Sequence, residues 1–576
     1  MKALKFSDIL SQNTELGKTL NSEAYPILVL SNTVVHQLIP ILEYSLRIEG
    51  INAKCVIGEY DNIVQESRNY RNEKLVVVFW EGANLVDGFQ YKSNNLSKEQ
   101  TQEFLDRFKS EIDFVLNNLD KAPLLVINKF SSLIFNQHYL TENNFDYVCE
   151  ELNVYLKSRA PSNTLIIDID KIIAKLSIEE CVDFRNFYSS KSLYRIGFYK
   201  AYSEFVRPAV RSIFGRAKKA LIFDCDNTLW NGIVGEDGLD GIALSASTSK
   251  GVVYQEVQSL GKELSGKGII LGLSSKNNPK DVDEIFRNHK DMVLGEDDIV
   301  IKKVNWEDKI ANLQNIANEL NIGIDSLVFV DDSDFEINLV NTYLPQVTTI
   351  QVPRERYLYP DILRSHFPLF YNKARSKEDV ERTKMYKQEL IRSIQKTTFE
   401  NIEDYLQSLR LEVTIYINEE KLVSRIAQLT QKTNQFNLTT KRYTENDIRI
   451  FTESKNCKVF ACDVRDKFGE FGLTAVAIII IENEAAIFDT FLLSCRILGR
   501  NIELKFMDEV LKHLRIAGIK TVQSSYIKTE KNEQVRDFFD RIGFEMIEEN
   551  QSNKLYSRNL QNYTFHQLGY IKTTYA

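Results

Sequence analysis

The sequence predicts a multi-domain α/β protein, on three observations. The chain has 576 residues, which at roughly 150 residues per domain is three or four domains. Over the first two thirds, short apolar runs alternate with helix-length amphipathic stretches, the rhythm of parallel, doubly wound sheets. Over the last third, longer apolar runs follow one another with helices inserted, which points to an α+β domain.

The first block covers residues 1–215. Its strand-like runs are Ile27-Leu-Val-Leu30, Leu75-Val-Val-Val-Phe79, Leu124-Leu-Val-Ile127 and Thr164-Leu-Ile-Ile167, and Thr101 to Asn118 has helix length and an amphipathic pattern. The first strand runs into Ser31-Asn32, where such folds carry a functional loop. Ser31 reads either as a hydrolase nucleophile or as the N-cap of a helix beginning at Thr33; no DxxH sequence near the end of the block supplies a base. The second block, 216–375, repeats the strand–helix alternation with polar residues at the strand ends. Residues 376–400 read as a solvated helical connector, with Glu378-Asp379 and the run from Arg382 to Lys387. The third block, 401–576, begins with a helix from Glu419 to Thr433 and strands over Lys458–Val464, Leu473–Ile481 and Ala485–Leu493. A long helix from Asn501 to Ala517, a strand near Thr521 and a helix over Glu533–Ile542 complete it.

Composition narrows the function classes. Lys plus Arg is 72 and Asp plus Glu is 80, a formal net charge of −8, so the basic surface of a duplex-binding protein is missing. Anionic substrates must then be held locally, by a metal, helix N-termini or a few placed cations. Seven cysteines without framework spacing point to free thiols in a reducing compartment. With six histidines and neither CxxC nor HExxH, zinc chemistry is not indicated. Met1 to Leu20 has no signal-peptide core, and Leu473 to Ile481, the most apolar run, is far shorter than the ~20 residues that span a bilayer. The expectation is a cytoplasmic protein with no membrane span and no nucleic-acid partner.

One constellation carries phosphoryl chemistry. The apolar run Leu221-Ile-Phe223 leads straight into Asp224-Cys225-Asp226-Asn227-Thr228. Two carboxylates two residues apart at a strand end reach one site: the first suits in-line attack on phosphorus, the second protonation of the leaving oxygen. Phosphate monoesters need up to ~10²¹-fold acceleration, more than one carboxylate supplies. Further parts stand at later strand ends: Ser275 and Lys276 in Ser274-Ser275-Lys276-Asn277, Lys309 in Trp306-Glu-Asp-Lys309, and Asp331-Asp332 after Leu327-Val-Phe-Val330. Serine and lysine hold phosphoryl oxygens, and carboxylates suit Mg²⁺.

This ordered set resembles the haloacid dehalogenase (HAD) superfamily. The resemblance implies Asp224 as the nucleophile that becomes an aspartyl phosphate and Asp226 as general acid and base. It implies Thr228, Ser275, Lys276 and Lys309 around the phosphoryl group, and Mg²⁺ held by Asp224, Asp332 and the main-chain carbonyl of Asp226, with Asp331 a ligand or next to one. A narrower likeness, from Asp224-Cys-Asp-Asn-Thr-Leu-Trp230-Asn-Gly232 through Ser275-Lys-Asn-Asn278 to Val328-Phe-Val-Asp-Asp332, is to the FkbH-like branch. That family carries an N-terminal SGNH-hydrolase-like domain and a C-terminal acetyltransferase-like (GNAT) domain, in line with the three blocks. The likeness implies a glyceryl group taken from 1,3-bisphosphoglycerate, or another small phosphorylated acid, and loaded on an acyl carrier protein (ACP).

A second constellation, Ser494-Cys495-Arg496-Ile-Leu-Gly499-Arg500-Asn501, lies between an apolar strand and a long helix. A helix start suits a phosphate, and the loop resembles the GNAT pyrophosphate loop at Arg496 and Gly499, with Asn501 in place of its last small residue. Arg496, Gly499 and Arg500 are expected to bind the carrier's phosphopantetheine arm. Cys495 reads either as a thiolate that takes the acyl group or as a small buried hydrophobe. Asn434 and Asn437, in Thr433-Asn-Gln-Phe-Asn437, read either as binders of glyceryl hydroxyls or as a helix end and loop. Cys225 is expected in the core. The rival functions are a HAD phosphatase fused to a GNAT N- or O-acyltransferase in cell-surface sugar biosynthesis, and a binding protein whose outer domains are not catalytic.

Overall fold

The computed structural model describes residues 4–372, 382–396, 399–529 and 531–576. It is a mixed α/β fold in two compact units, divided between Arg211 and Ser212. Among the described residues no helix is long and apolar enough to cross a membrane.

The first unit is built on a parallel sheet of β1 (Tyr25–Ser31), β2 (Ala53–Ile57), β3 (Leu75–Phe79), β4 (Leu125–Asn128) and β5 (Thr164–Ile167), in the order β2-β1-β3-β4-β5. Every residue of β3 and β4 is buried, as expected of strands covered on both faces, and this is why they read as unbroken apolar runs. The helices Lys98–Asn118 and Asn144–Arg159 each start on a capping box, at Ser97 and Asn143. Ser31 departs from the N-cap expectation. The helix after β1 begins only at Leu38, and the buried Ser31 hydroxyl accepts from the Thr33 N–H at 3.1 Å, closing a local turn two residues long.

The second unit contains two sheets. The first is parallel: β6 (Ala220–Phe223), β7 (Ile270–Ser275), β8 (Ile299–Val304), β9 (Leu327–Asp331) and β10 (Thr348–Gln351), ordered β10-β9-β6-β7-β8. The strand order reverses between β6 and β9, so the crevice at their carboxyl ends is the place where such a sheet binds ligands. The second sheet comprises β11 (Glu412–Ile417), β12 (Phe436–Asn437), β13 (Cys457–Asp466), β14 (Gly469–Glu482), β15 (Ala485–Leu493), β16 (Thr521–Ile527), β17 (Glu545–Glu549), β18 (Asn553–Asn559) and β19 (Lys572–Tyr575). It is antiparallel except where β15 meets β16 and β11 meets β19. Strands β15 and β16 pair only over Ala485–Phe488 and Thr521–Ser524. Beyond that, β12 pairs with β15, and Ile527 N–H donates to the Leu438 carbonyl.

Residues 376–381 of the expected connector, with Glu378 and Asp379, lie outside the described residues. From Arg382 to Lys396 the connector is a helix, and residues 397 and 398 also lie outside the described residues. It is less solvated than its charge suggests: Arg392 is 1% exposed and makes a two-pronged pair with Asp466, 2.8 Å on each side. The helix expected over Glu533–Ile542 is two short turns, Glu533–Val535 and Phe538–Arg541.

Candidate active site

The residues after β6, β7 and β9 meet in the crevice at the strand-order reversal. Asp224 follows β6 directly, and its N–H donates to the Val330 carbonyl of β9. Asn227 then takes the left-handed conformation (φ 53°), which turns the chain back so that Asp226 also faces the crevice. Lys309 opens the helix Lys309–Glu319, capped by Asp308. Only 2% exposed, it donates to Asp224 Oδ1 at 2.5 Å and to the Ser274 carbonyl at 2.5 Å, and lies 3.3 Å from Asp331 Oδ2. Ser275, the last residue of β7, is buried and accepts from Asn277 Nδ2 at 3.0 Å.

Charge dominates this crevice. Burial and the neighbouring Asp224 push the Asp331 carboxyl up to about 7. Asp332 is raised for the same two reasons, with Arg356 opposing. Burial would lower the Lys309 ammonium, but Asp224 and Asp331 outweigh it and hold it above its ordinary value. Oxygens of Asp224, Asp331 and Asp332 lie within 4.8 Å of one another. Two cations face these three carboxylates, the buried Lys309 beside Asp224 and Asp331 and the part-exposed Arg356, 3.5 Å from Asp332, and the clustered hard oxygen donors fit a small divalent cation such as Mg²⁺. The Asp226 carboxylate stands outside this group. Its Oδ1 accepts from Trp230 Nε1 at 3.0 Å and Val234 N–H at 3.1 Å, and its Oδ2 from Asn277 Nδ2 at 2.9 Å.

Two residues expected at the phosphate are placed apart from the Lys309 cluster. Thr228 is wholly buried, its hydroxyl without a hydrogen-bond partner. Lys276 is engaged by Glu336 at 2.7 Å, which draws it toward the helix Asp334–Tyr343. Cys225 is buried as expected, though beside Ser275, and burial and Asp224 hold its thiol well above the ordinary range. Asn277 is the residue sequence reasoning missed. It stands in the motif next to Lys276, but its partner Asp226 is 51 residues away.

The second constellation is arranged differently from expectation. Cys495 is half-buried in a single turn, Cys495–Ile497, between β15 and the helix, which starts at Ile502, within a residue of the expected Asn501. Arg496 Nε donates to Ser494 Oγ at 3.2 Å. Gly499 has φ 76°, and an added Cβ there would meet nothing within 4 Å, so its requirement is conformational. Arg500 is buried and clamped by Glu389 at 2.6 and 2.8 Å, so it ties this loop to the helix Arg382–Lys396 instead of facing a ligand. In the first turn of the helix that starts at Ile502 stands Glu503, whose carboxyl burial raises above its ordinary value. Asn437 is buried and closes a turn from Thr433 to Thr440. Asn434 spans the Gly215 carbonyl at 3.3 Å and Arg442 at 2.6 Å. For these two asparagines the geometry is that of a helix end and loop.

The two constellations lie at opposite ends of the β6–β10 sheet. The Cys495 carbonyl accepts from Asn321 Nδ2 at 2.7 Å, and Lys531 pairs with Asp325. Asn321 and Asp325 precede β9, whereas Asp331 ends it. Five residues of strand, roughly 13 Å at ~3.3 Å per residue, separate the two ends.

No family model matches the chain, and no curated protein matches it. Among solved structures it is similar to the N-terminal part of protein BF1531 from Bacteroides fragilis, containing a phosphatase domain complexed with Mg, at 24% identity over 65% of this chain and 100% of that one (TM-score 0.56). That likeness is one of fold. Smaller overlaps are with an N-acetyltransferase from Staphylococcus aureus (15% identity, 26% of this chain, 99% of that one, TM-score 0.21). The PaiA N-acetyltransferase from Thermoplasma acidophilum in complex with coenzyme A gives another (13%, 25% and 98%, TM-score 0.19).

Proposed function

We propose that this protein is a Mg²⁺-dependent phosphoryl-transfer enzyme of HAD type. On this reading it hydrolyses the ester phosphate of a small phosphorylated acid, 1,3-bisphosphoglycerate first among them, and the acyl phosphate passes its glyceryl group to the thiol of an ACP as inorganic phosphate leaves. The carrying observation is the convergence of Asp224, Asp226, Ser275, Lys309, Asp331 and Asp332 at one strand-order reversal. Asp224 attacks phosphorus, and the bond to the leaving oxygen breaks as that oxygen takes a proton from Asp226. Asp226, now a carboxylate, takes a proton from water as it attacks the aspartyl phosphate, and inorganic phosphate leaves with Asp224 restored. Lys309 and the Ser275 hydroxyl hold the phosphoryl oxygens in line. Mg²⁺, held by Asp224, Asp331 and Asp332, supplies charge neutralisation for the incoming phosphate. We assign the first unit to shape or partner binding, since no DxxH sequence near its end supplies a base for Ser31.

What supports acyl transfer is thinner: a half-buried thiol, Cys495, at the end of an apolar strand. The distance between the two centres means that the group in transit leaves one before it reaches the other. The same separation favours a second reading, in which a phosphatase and an N- or O-acyltransferase of cell-surface sugar biosynthesis share a chain but no intermediate. Intact-mass measurement of phosphopantetheinylated ACP after incubation with the enzyme, Mg²⁺ and 1,3-bisphosphoglycerate separates them. The leading reading expects the carrier to gain a glyceryl group and Cys495→Ala to prevent it; phosphate release without loading favours the second.

A further inference from the structure

We propose that Asn277 is the positioning residue that aims the proton of Asp226 at the leaving oxygen. The inference rests on the phosphoryl-transfer reading and adds a residue to it. A carboxylate oxygen offers two lone pairs. Both of those on Asp226 Oδ1 are taken, by Trp230 Nε1–H and the Val234 N–H. The proton delivered to the leaving group is therefore carried by Oδ2, where one lone pair is already occupied by Asn277 Nδ2 at 2.9 Å. The direction of the remaining lone pair, and so of the proton, is set by that contact. The orientation of the amide is fixed in turn, because only its NH₂ end can donate to a carboxylate.

The second hydrogen of the same nitrogen goes to Ser275 Oγ at 3.0 Å. One amide thus spaces the proton donor from a hydroxyl that holds the phosphoryl group. Asn277 is itself buried, on the segment that leads from β7 into the helix Pro279–Asn288, whose cap is the next residue, Asn278. The cap and the proline fix the backbone there, so the amide is delivered from a rigid support. In the balanced step, the bond from Asp224 oxygen to phosphorus forms, the bond from phosphorus to the alcohol oxygen breaks, and the proton on Oδ2 moves to that oxygen. Asn277 gains and loses nothing.

The test uses leaving groups that differ in their need for a proton. An alkyl phosphate, glycerol 3-phosphate, departs as an alkoxide and requires one; p-nitrophenyl phosphate departs as a stable phenolate and does not. The ratio kcat/KM for phosphate release reports only steps through formation of the aspartyl phosphate, so the later hydrolysis does not enter. For the full-length Asn277→Ala protein with Mg²⁺, kcat/KM on the alkyl ester is expected to fall by about 10²-fold, the lower range for general acid catalysis. On the aryl ester the expected loss is only a few-fold. Asn277→Asp, of the same size but without the amide donor, is read in the same way if the alanine protein does not fold. Equal losses on both esters, or none on either, overturn the proposal. Absence of phosphate release from both esters by the unmodified protein counts against the phosphoryl-transfer reading itself.

Discussion

At the scale of single residues, the ion pairs around Asp224 carry the strongest consequence. Lys309 is the one cation within reach of Asp224 and Asp331 among the described contacts, and both carboxylates are buried. Removing one partner of a buried pair costs on the order of 3–5 kcal/mol, because the other charge is left uncompensated. Lys309→Met is therefore expected to lower the melting temperature in metal-free buffer, with part of the loss recovered on adding Mg²⁺, and to lose turnover when Mg²⁺ is present. Calorimetry with and without Mg²⁺, beside a phosphate-release assay, checks this. Unchanged melting would remove Lys309 from the pair. The sequence made Lys309 legible because it opens a helix next to a strand end, but it could not separate Lys309 from Lys276. Glu336, which engages Lys276, is 60 residues away. Arg500 and its partner Glu389 are 111 apart. A cation in a motif declares its charge and not the carboxylate that will meet it.

At the scale of elements, the strands and their ends were the legible part. Strands β1, β3, β6, β7 and β9 read as apolar runs because both of their faces are covered, and the phosphoryl residues stand where those runs stop. The two-residue β12 was invisible, since no periodicity exists over two positions; it forms because β15 and β16 separate and leave edges to be paired. The loop after β3 carries a testable electrostatic feature. Glu81 is wholly buried, accepting from Tyr194 OH at 2.6 Å and from Ala83 N–H at 3.1 Å, and burial pushes its carboxyl up to about 7 from 4.5. The folded chain then holds a proton that the unfolded chain gives up, so this group lowers stability progressively as pH rises from 4.5 to 7 and fully above 7. Glu81→Gln keeps the shape, with the oxygen accepting from Ala83 and the amide donating to Tyr194. It is expected to melt higher than the unmodified protein at pH 8 and alike at pH 4. A lower melting temperature at pH 8 would show that Glu81 is stabilised as a carboxylate.

At the scale of the whole molecule, the second unit places the candidate phosphoryl site and the Cys495 thiol at opposite ends of one sheet, so on the proposed reading the two activities can be lost separately. The residues that meet in the crevice at the β6–β9 reversal were readable because they lie in short, contiguous pieces at strand ends. The relation between the centres was not, because it depends on which end of a parallel strand each loop joins. The most direct test is phosphate release by full-length protein carrying Asp224→Asn, measured with saturating Mg²⁺ on glycerol 3-phosphate, whose one phosphate is an ester, beside the unmodified chain. Asparagine keeps the shape while losing the charge and the nucleophilic oxygen, so release should fall to background with the fold intact. Release close to that of the unmodified protein would place the chemistry elsewhere and contradict the account.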